Sequence, residues 1–417
     1  MMRQSRTLVA KDSNEECNPH GHEARIVHLD MIRGLALLGI IIANMSLYAS
    51  PSIYMNTLNW QWWTEGSDRL VKQFIYIAVD YKFITIFSFL FGVGFVLFLQ
   101  NAEKKGRSGK ILFIRRLAVL LLFGLFHSYF IWFGDILLMY AILGFALLAF
   151  YKRRLNTLLY TALGLLLIPA IWVGAHTFTP EFVPWGLPLG PMADESTQLL
   201  AESTDVYSGG TFVEMFQQRL VDISYLQNSA LLTIPLTFAM FLLGAYGWQK
   251  GWLRDPEAHI AVIRKIWWWS GGIGLLFLAF QIWLYYTVDT VQSGFNNAQW
   301  AGILIAGPSI ALFYMTSLLL LIRRPFFRKL FTPLEAAGRM ALTNYLLQSF
   351  ICTFLFYSYG FGWYGQITPS IGLGLSILIF AVQVWISGIW LHYFRYGPFE
   401  WIWRSLTYGR RQPMKRA

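Results

Sequence analysis

RIVHLDMIRGLALLGIIIANMSLYA, residues 25–49, decides how the whole chain is read. Asp30 and Arg33 stand one helical turn apart, ten apolar residues run from Gly34 to Ala43, and a single amide, Asn44, precedes Ser46 and Tyr48. At about 1.5 Å of rise per residue, a helix carries the chain roughly 16 Å from Arg33 to Asn44, half of a hydrocarbon core about 30 Å thick. The stretch therefore predicts a transmembrane helix with a cation near one water boundary and a polar group at mid-depth. Polar groups at that depth are expensive and persist mainly where they face a bundle interior or a wet cavity, so Asn44 is a candidate site residue. Taken alone, each residue also has a plainer role, Arg33 as a snorkelling anchor and Asn44 as an interhelical hydrogen bond.

The same apolar texture recurs from end to end. Of 417 residues, 56% are hydrophobic, 18% aromatic and only 13% charged, whereas a soluble domain is about 25% charged. This predicts an all-α polytopic membrane bundle. Ten apolar stretches, at about 27–49, 82–100, 111–131, 136–151, 155–176, 228–249, 266–287, 300–322, 340–358 and 370–394, read as spans, so both termini share a side. Residues 1–24 lack apolar periodicity and read as a flexible cytoplasmic tail, with residues 25–417 as one integral-membrane domain. Residues at about 177–227, rich in Pro, Gly and acids, read as an extended extracytoplasmic loop. Trp60, Trp62 and Trp63 suit a headgroup layer, residues 68–83 could lie along the interface, and Gly92 and Gly94 permit close helix approach.

The net charge of +11 reads as topology and not as affinity for nucleic acid. All but four of the 33 lysines and arginines fall on one side of this arrangement, the exceptions being Arg69, Lys72, Lys82 and Arg219. The positive-inside bias then makes both termini cytoplasmic. Cys17 and Cys352 give no disulfide framework or metal-ligand spacing, and no P-loop, dinucleotide fingerprint, HExxH or CxxC occurs. The first apolar run lacks a small-residue cleavage site and reads as a retained helix.

Few polar groups interrupt the leucine- and phenylalanine-rich walls. On the outer half are Asp80 and Lys82 entering the second span, His127 in the third and Asp135 at the turn to the fourth. On the inner side stand Asp30, Arg33, Arg115 and Arg116, with Arg339 opening the ninth span and Asn344 and Gln348 one turn apart within it. Histidine is the side chain most easily poised as acid or base near neutral pH. A continuous helix would hold His127 and Asp135 about 12 Å apart, so a catalytic pair requires a break near Gly134 or contact through another helix. Otherwise His127, beside Tyr129 and Trp132, is an interfacial packing residue. Asp80 and Lys82 would point to different sides of a helix and are expected to pair with other spans. The inner arginines could grip the phosphates of a cytosolic nucleotide-like donor through their bidentate forks, although each alone is equally a topology anchor.

LDMIRGLALLGIIIANM, KFITIFSFLFGVG, RRLAVLLLFGLFHSYFIWFGDILLMYAILG, GRMALTNYLLQS and GPFEWIWRSLTYGRRQP resemble, in order, the YeiB-like family of bacterial inner-membrane proteins, with its C-terminal domain of unknown function. The resemblance covers the chain apart from the tail and implies a multi-pass protein of the bacterial inner (plasma) membrane. That family is similar in its first helix to the transmembrane acyltransferase superfamily, which includes acyltransferase-three proteins and heparan-α-glucosaminide N-acetyltransferase. The similarity implies a bundle that passes an acyl group from cytosolic acyl-CoA, such as acetyl-CoA, to an extracytoplasmic saccharide, lipid or small metabolite, without a metal. Arg33 matches the arginine of the superfamily's first-helix motif. Acyltransferase-three proteins carry histidine eleven residues later, where this chain has Asn44; the glucosaminide acetyltransferase has asparagine there and histidine a further eleven on, where this chain has Met55.

On this reading Arg33 with Arg115 or Arg116 holds the donor, Asn44 hydrogen-bonds the thioester carbonyl, and His127, oriented by Asp135 or Asp80, is the general base. The alternative is a transporter or lipid-handling protein without covalent chemistry, in which Asp80, Lys82, His127 and Asp135 line a path. An inverted repeat would favour it, and the two halves share no spacing of glycines or charges. A homodimer is compatible with either.

Overall fold

A stretch in lipid must satisfy each backbone N–H and C=O within itself, and an α-helix does so. The computed structural model describes residues 26–58, 62–175, 193–287 and 293–416. The tail at 1–24, Cys17, Trp60 and residues 177–192 lie outside them. Among the described residues there is no β-strand, only a single bridge between Phe394 and Lys415.

In chain order the helices are α1 (Val27–Ala49), α2 (Ser52–Leu58), α3 (Gly66–Ala78), α4 (Lys82–Lys104), α5 (Gly109–Phe126), α6 (Leu137–Leu147), α7 (Leu155–Ala175), α8 (Ala193–Gly209), α9 (Phe212–Gln249), α10 (Ile260–Thr287), α11 (Ser293–Leu321), α12 (Pro325–Arg339), α13 (Ala341–Phe356), α14 (Pro369–Tyr393) and α15 (Pro398–Tyr408). All ten stretches read as spans lie on helices. Seven of them are long and apolar enough to cross a membrane, Leu137–Phe150 and Ala341–Phe356 are shorter apolar helices, and 228–249 is the C-terminal part of the 38-residue α9. The chain is therefore an all-α polytopic bundle.

α1 is the axis. It packs against α4, α12, α13 and α14, and fourteen of its 23 residues are buried, which explains why its apolar run is continuous around the helix. At its arginine-rich end it crosses α12 backbone to backbone: a Cβ on Gly338 would collide with the Asp30 carbonyl, and one on Gly34 with that of Leu334. This crossing sets Asp30 and Arg33 beside Glu335 and Arg339. Gly338→Ala is expected to destabilise the protein by about 1–3 kcal/mol, because the obstacle is backbone and cannot rotate away; thermal unfolding in detergent measures it. Gly92 makes the same kind of contact, with the Phe241 carbonyl of α9, whereas Gly94 faces open space.

Three features depart from the sequence expectations. The described part of the 177–227 segment is not an extended loop but α8 and the first turns of α9, and it carries fully buried Tyr207, Arg219 and Asp222. Arg339 closes α12 instead of opening the next helix. The third helix does not run on: α5 passes into a π-helical turn, His127–Ile131, and Trp132 then leaves in an extended conformation, φ −155° and ψ 130°. The π turn spends its last N–H on the His127 carbonyl, so the chain turns back toward His127 before α6 begins.

Candidate functional site

That reversal brings His127 and Asp135 together. The His127 Nδ1–H donates to Asp135 Oδ1 at 2.8 Å, and the two side chains are 0% and 1% exposed. The helix break thus supplies what a continuous helix would forbid, and it lies at Trp132–Asp135 as the pairing requires. Asp135 is itself held, its Oδ2 accepting from the Leu138 N–H at 2.7 Å as a cap on α6. With Nδ1–H committed to the carboxylate, neutral His127 carries its lone pair on Nε2, and that atom is buried without a partner.

Aromatic rings enclose the pair. Tyr345 of α13 lies 5.3 Å from the imidazole centroid, and its hydroxyl accepts from the Ile136 N–H. Trp132 stands edge-on to His127 at 6.4 Å and stacks on Tyr48 of α1 at 4.0 Å; the Tyr48 hydroxyl shares a hydrogen bond with Ser349. Asn44 is one turn before Tyr48 on the same face of α1. It is half-buried, its amide has no hydrogen-bond partner among the described residues, and no bond joins it to His127.

The inner residues divide into two groups. Arg33 donates to Asp30 at 2.6 Å. Arg116 lies against the Trp403 ring at 3.6 Å, with Arg33, Arg404, Tyr408 and Glu400 as electrostatic neighbours. Glu400 of α15 accepts from the backbone and hydroxyl of Thr343 at the start of α13. Arg115 instead faces outward, lining an open groove of roughly 370 Å³ with Arg107, Arg410, Ser108 and Tyr408. The two adjacent arginines therefore serve different surfaces.

Other candidates have partners that account for them. Tyr81 adopts a left-handed conformation, φ 61°, between α3 and α4, and Lys82 donates back across it to the Tyr76 carbonyl at 2.8 Å, so its partner is the neighbouring helix and not a distant span. Asp80 is half-buried at the same break, its N–H bonded to Ile75 O. Asn344 and Gln348 belong to a closed ladder: Asn344 donates to Ala337 O and Ser387, Gln348 to Gln383, and Gln383 to Asn344 O. Such a ladder joins α13 to α14 and commits the amide N–H groups of Asn344, Gln348 and Gln383 to protein acceptors.

Sequence reasoning missed a second buried centre at the arginine-poor end. Asp222 accepts from the hydroxyls of Tyr54 and Tyr207, both at 2.5 Å, and from Gln218 at 3.0 Å. Arg219 donates to the Tyr129 carbonyl in the π turn at 2.8 Å, tying α9 to the histidine segment. The available signal was Gln218 and Asp222 one turn apart with the sole cation of the 177–227 segment beside them.

Comparison with known proteins agrees with this architecture. Residues 247–410 match the family described as "Protein of unknown function (DUF418)". "Uncharacterized protein YxaH" of Bacillus subtilis is 36% identical over 406 residues, covering 94% of this chain and 96% of the relative. "Uncharacterized protein YeiB" of Escherichia coli is 29% identical over 412 residues, covering 92% and 96%. The chain belongs to the YeiB-like family. A protein of Bacillus acidopullulyticus, "Uncharacterized 39.9 kDa protein in amylase 3'region", is 32% identical over 95% of this chain and 98% of its own. These YeiB-like relatives match over most of the chain, whereas the 247–410 match includes Glu400, Arg404 and Arg410 but not Arg33, Arg115, Arg116, His127 or Asp135.

Proposed function

We propose that this YeiB-like protein is a membrane-embedded acyltransferase, which moves an acyl group from cytosolic acyl-CoA to a hydroxyl or amine presented from the opposite side. The observation that carries the proposal is the His127–Asp135 pair, with Nδ1 held by a buried carboxylate and Nε2 left open. A positioned base of this kind takes the proton of the attacking group as its oxygen or nitrogen bonds to the thioester carbonyl carbon. The carbon–sulfur bond then breaks, and the imidazolium returns the proton to the departing thiolate, leaving acylated acceptor and free thiol.

The donor's phosphates fit the guanidinium-rich end. Arg33, Arg116 and Arg404 gather there around Glu400, and Arg107, Arg115 and Arg410 line the adjoining groove. Along α1 the fifteen residues from Arg33 to Tyr48 rise about 22 Å, so a donor held by its phosphates must reach His127 with a long extended arm. The unpartnered amide of Asn44 lies on that route and supplies a donor for the thioester oxygen.

The test is direct binding of acetyl-CoA to purified protein in detergent. Arg116→Ala and Arg115→Ala are each expected to weaken binding about tenfold, as loss of a charge-assisted phosphate contact does. Equal affinity in wild type and both variants would refute this donor assignment. Solute flux in proteoliposomes without acyl-CoA would favour the transport reading instead.

A further inference from the structure

The largest concentration of unmet hydrogen-bonding capacity lies around Arg219. Its side chain is 0% exposed, Nη1 is spent on Tyr129 O, and both Nε and Nη2 are buried without a partner. Those two atoms form the side-on edge of the guanidinium, whose parallel N–H groups grip two oxygens of a carboxylate or phosphate. Asp222, three residues along α9, does not occupy that edge; its oxygens take Tyr54, Tyr207 and Gln218.

Further donors gather at the same end. Trp132 Nε1 and the Tyr357 hydroxyl are buried and unpartnered as well. Trp132 is three residues beyond the carbonyl that Arg219 holds, and Tyr357 stacks on Tyr207 at 4.4 Å and is an electrostatic neighbour of Arg219. Asp222 is an electrostatic neighbour of both Arg219 and Tyr357, but its oxygens are spent on Tyr54, Tyr207 and Gln218, so the guanidinium edge, the indole N–H and the phenol hydroxyl are left as buried donors for an incoming negative oxygen.

We propose that Arg219, Trp132 and Tyr357 form a binding site for an oxyanion, a carboxylate or phosphate entering from the arginine-poor end of the bundle. The guanidinium edge takes two oxygens, and the indole and phenol complete the set. This claim concerns binding and stands whether or not His127 acts as a base; where both hold, the anion is a substituent of the acceptor.

The experiment follows thermal unfolding of the full chain in phosphatidylcholine nanodiscs, titrated with inorganic phosphate or acetate against chloride at constant ionic strength. Phosphate or acetate is expected to raise Tm saturably, with the half-saturating concentration at least tenfold higher in Arg219→Lys, which keeps the charge and loses the edge. Trp132→Phe, which keeps the ring on Tyr48 and loses Nε1, is expected to raise it several-fold and carries the comparison if Arg219→Lys fails to fold. Nanodiscs containing phosphatidylglycerol separate the sources. A higher starting Tm with no further response to phosphate assigns the anion to a lipid headgroup, and an undiminished response assigns it to a soluble ligand. Phosphate and acetate acting no better than chloride in both nanodiscs, with the same starting Tm, or equal half-saturation in wild type and folded variants, would overturn the proposal.

Discussion

On the proposed acyltransferase reading, His127→Ala is expected to lower acyl transfer from acetyl-CoA by about 10²–10⁴-fold, the range for loss of a positioned general base. The geometry sharpens the expectation. Nδ1 is fixed by Asp135 at 2.8 Å, so only Nε2 is available to a substrate, and the break at Trp132 holds the ring where it is. Asp135→Asn should reduce transfer in the same direction, because an amide facing Nδ1 can stabilise the wrong tautomer. In both variants kcat falls while KM for the donor changes little, since the guanidinium groups assigned to its phosphates sit at the other end of α1. A merely structural role would lower Tm and leave the rate per folded molecule intact. Transfer at the wild-type rate by folded His127→Ala protein would end the general-base assignment.

How far the chain could be read in advance follows from what each signal measures. Apolar run length reports the cost of exposing backbone to lipid, and it located every helix long and apolar enough to cross a membrane, but not α8 or the first turns of α9. Polar residues were also located, but not their partners. Asn344 and Gln348 carry the same mid-membrane signature as Asn44, yet Gln383 and Ser387 on α14 consume them while Asn44 stays open. The His127–Asp135 spacing is uninformative by itself; the outcome hinges on whether the helix continues past Ile131, which depends on packing around Trp132 and Tyr48. The 177–227 segment is polar in composition, which suggests solvation, yet its described part is helical and carries buried polar groups. Inside the protein Asp222 takes the hydroxyls of Tyr207 from the same segment and of Tyr54 from α2, so its carboxylate is buried with its acceptors met, while Arg219 beside it keeps two unpartnered nitrogens.

Asp222→Ala should be the most destabilising single substitution in that segment, at about 3–5 kcal/mol, since one carboxylate satisfies three donors from three helices. Removing it strands the hydroxyls of Tyr54 and Tyr207 and the Gln218 amide in a region none can leave for water. It also removes the negative charge nearest in sequence to Arg219, whose own edge is already unpartnered. Asp222→Asn keeps one acceptor oxygen and should cost about half as much. Denaturant unfolding in detergent measures both. The distinguishing comparison is a triple variant in which Tyr54→Phe and Tyr207→Phe accompany Asp222→Ala. If stranded hydroxyls cause the loss, deleting them recovers part of it, and the three substitutions together cost less than their separate sum. If the loss is instead the uncompensated charge of Arg219, the triple variant recovers nothing, and phosphate added to Asp222→Ala protein restores stability. Each outcome therefore tells which of the two buried centres, the acceptor at Asp222 or the donors at Arg219, governs how α2, α8 and α9 pack together.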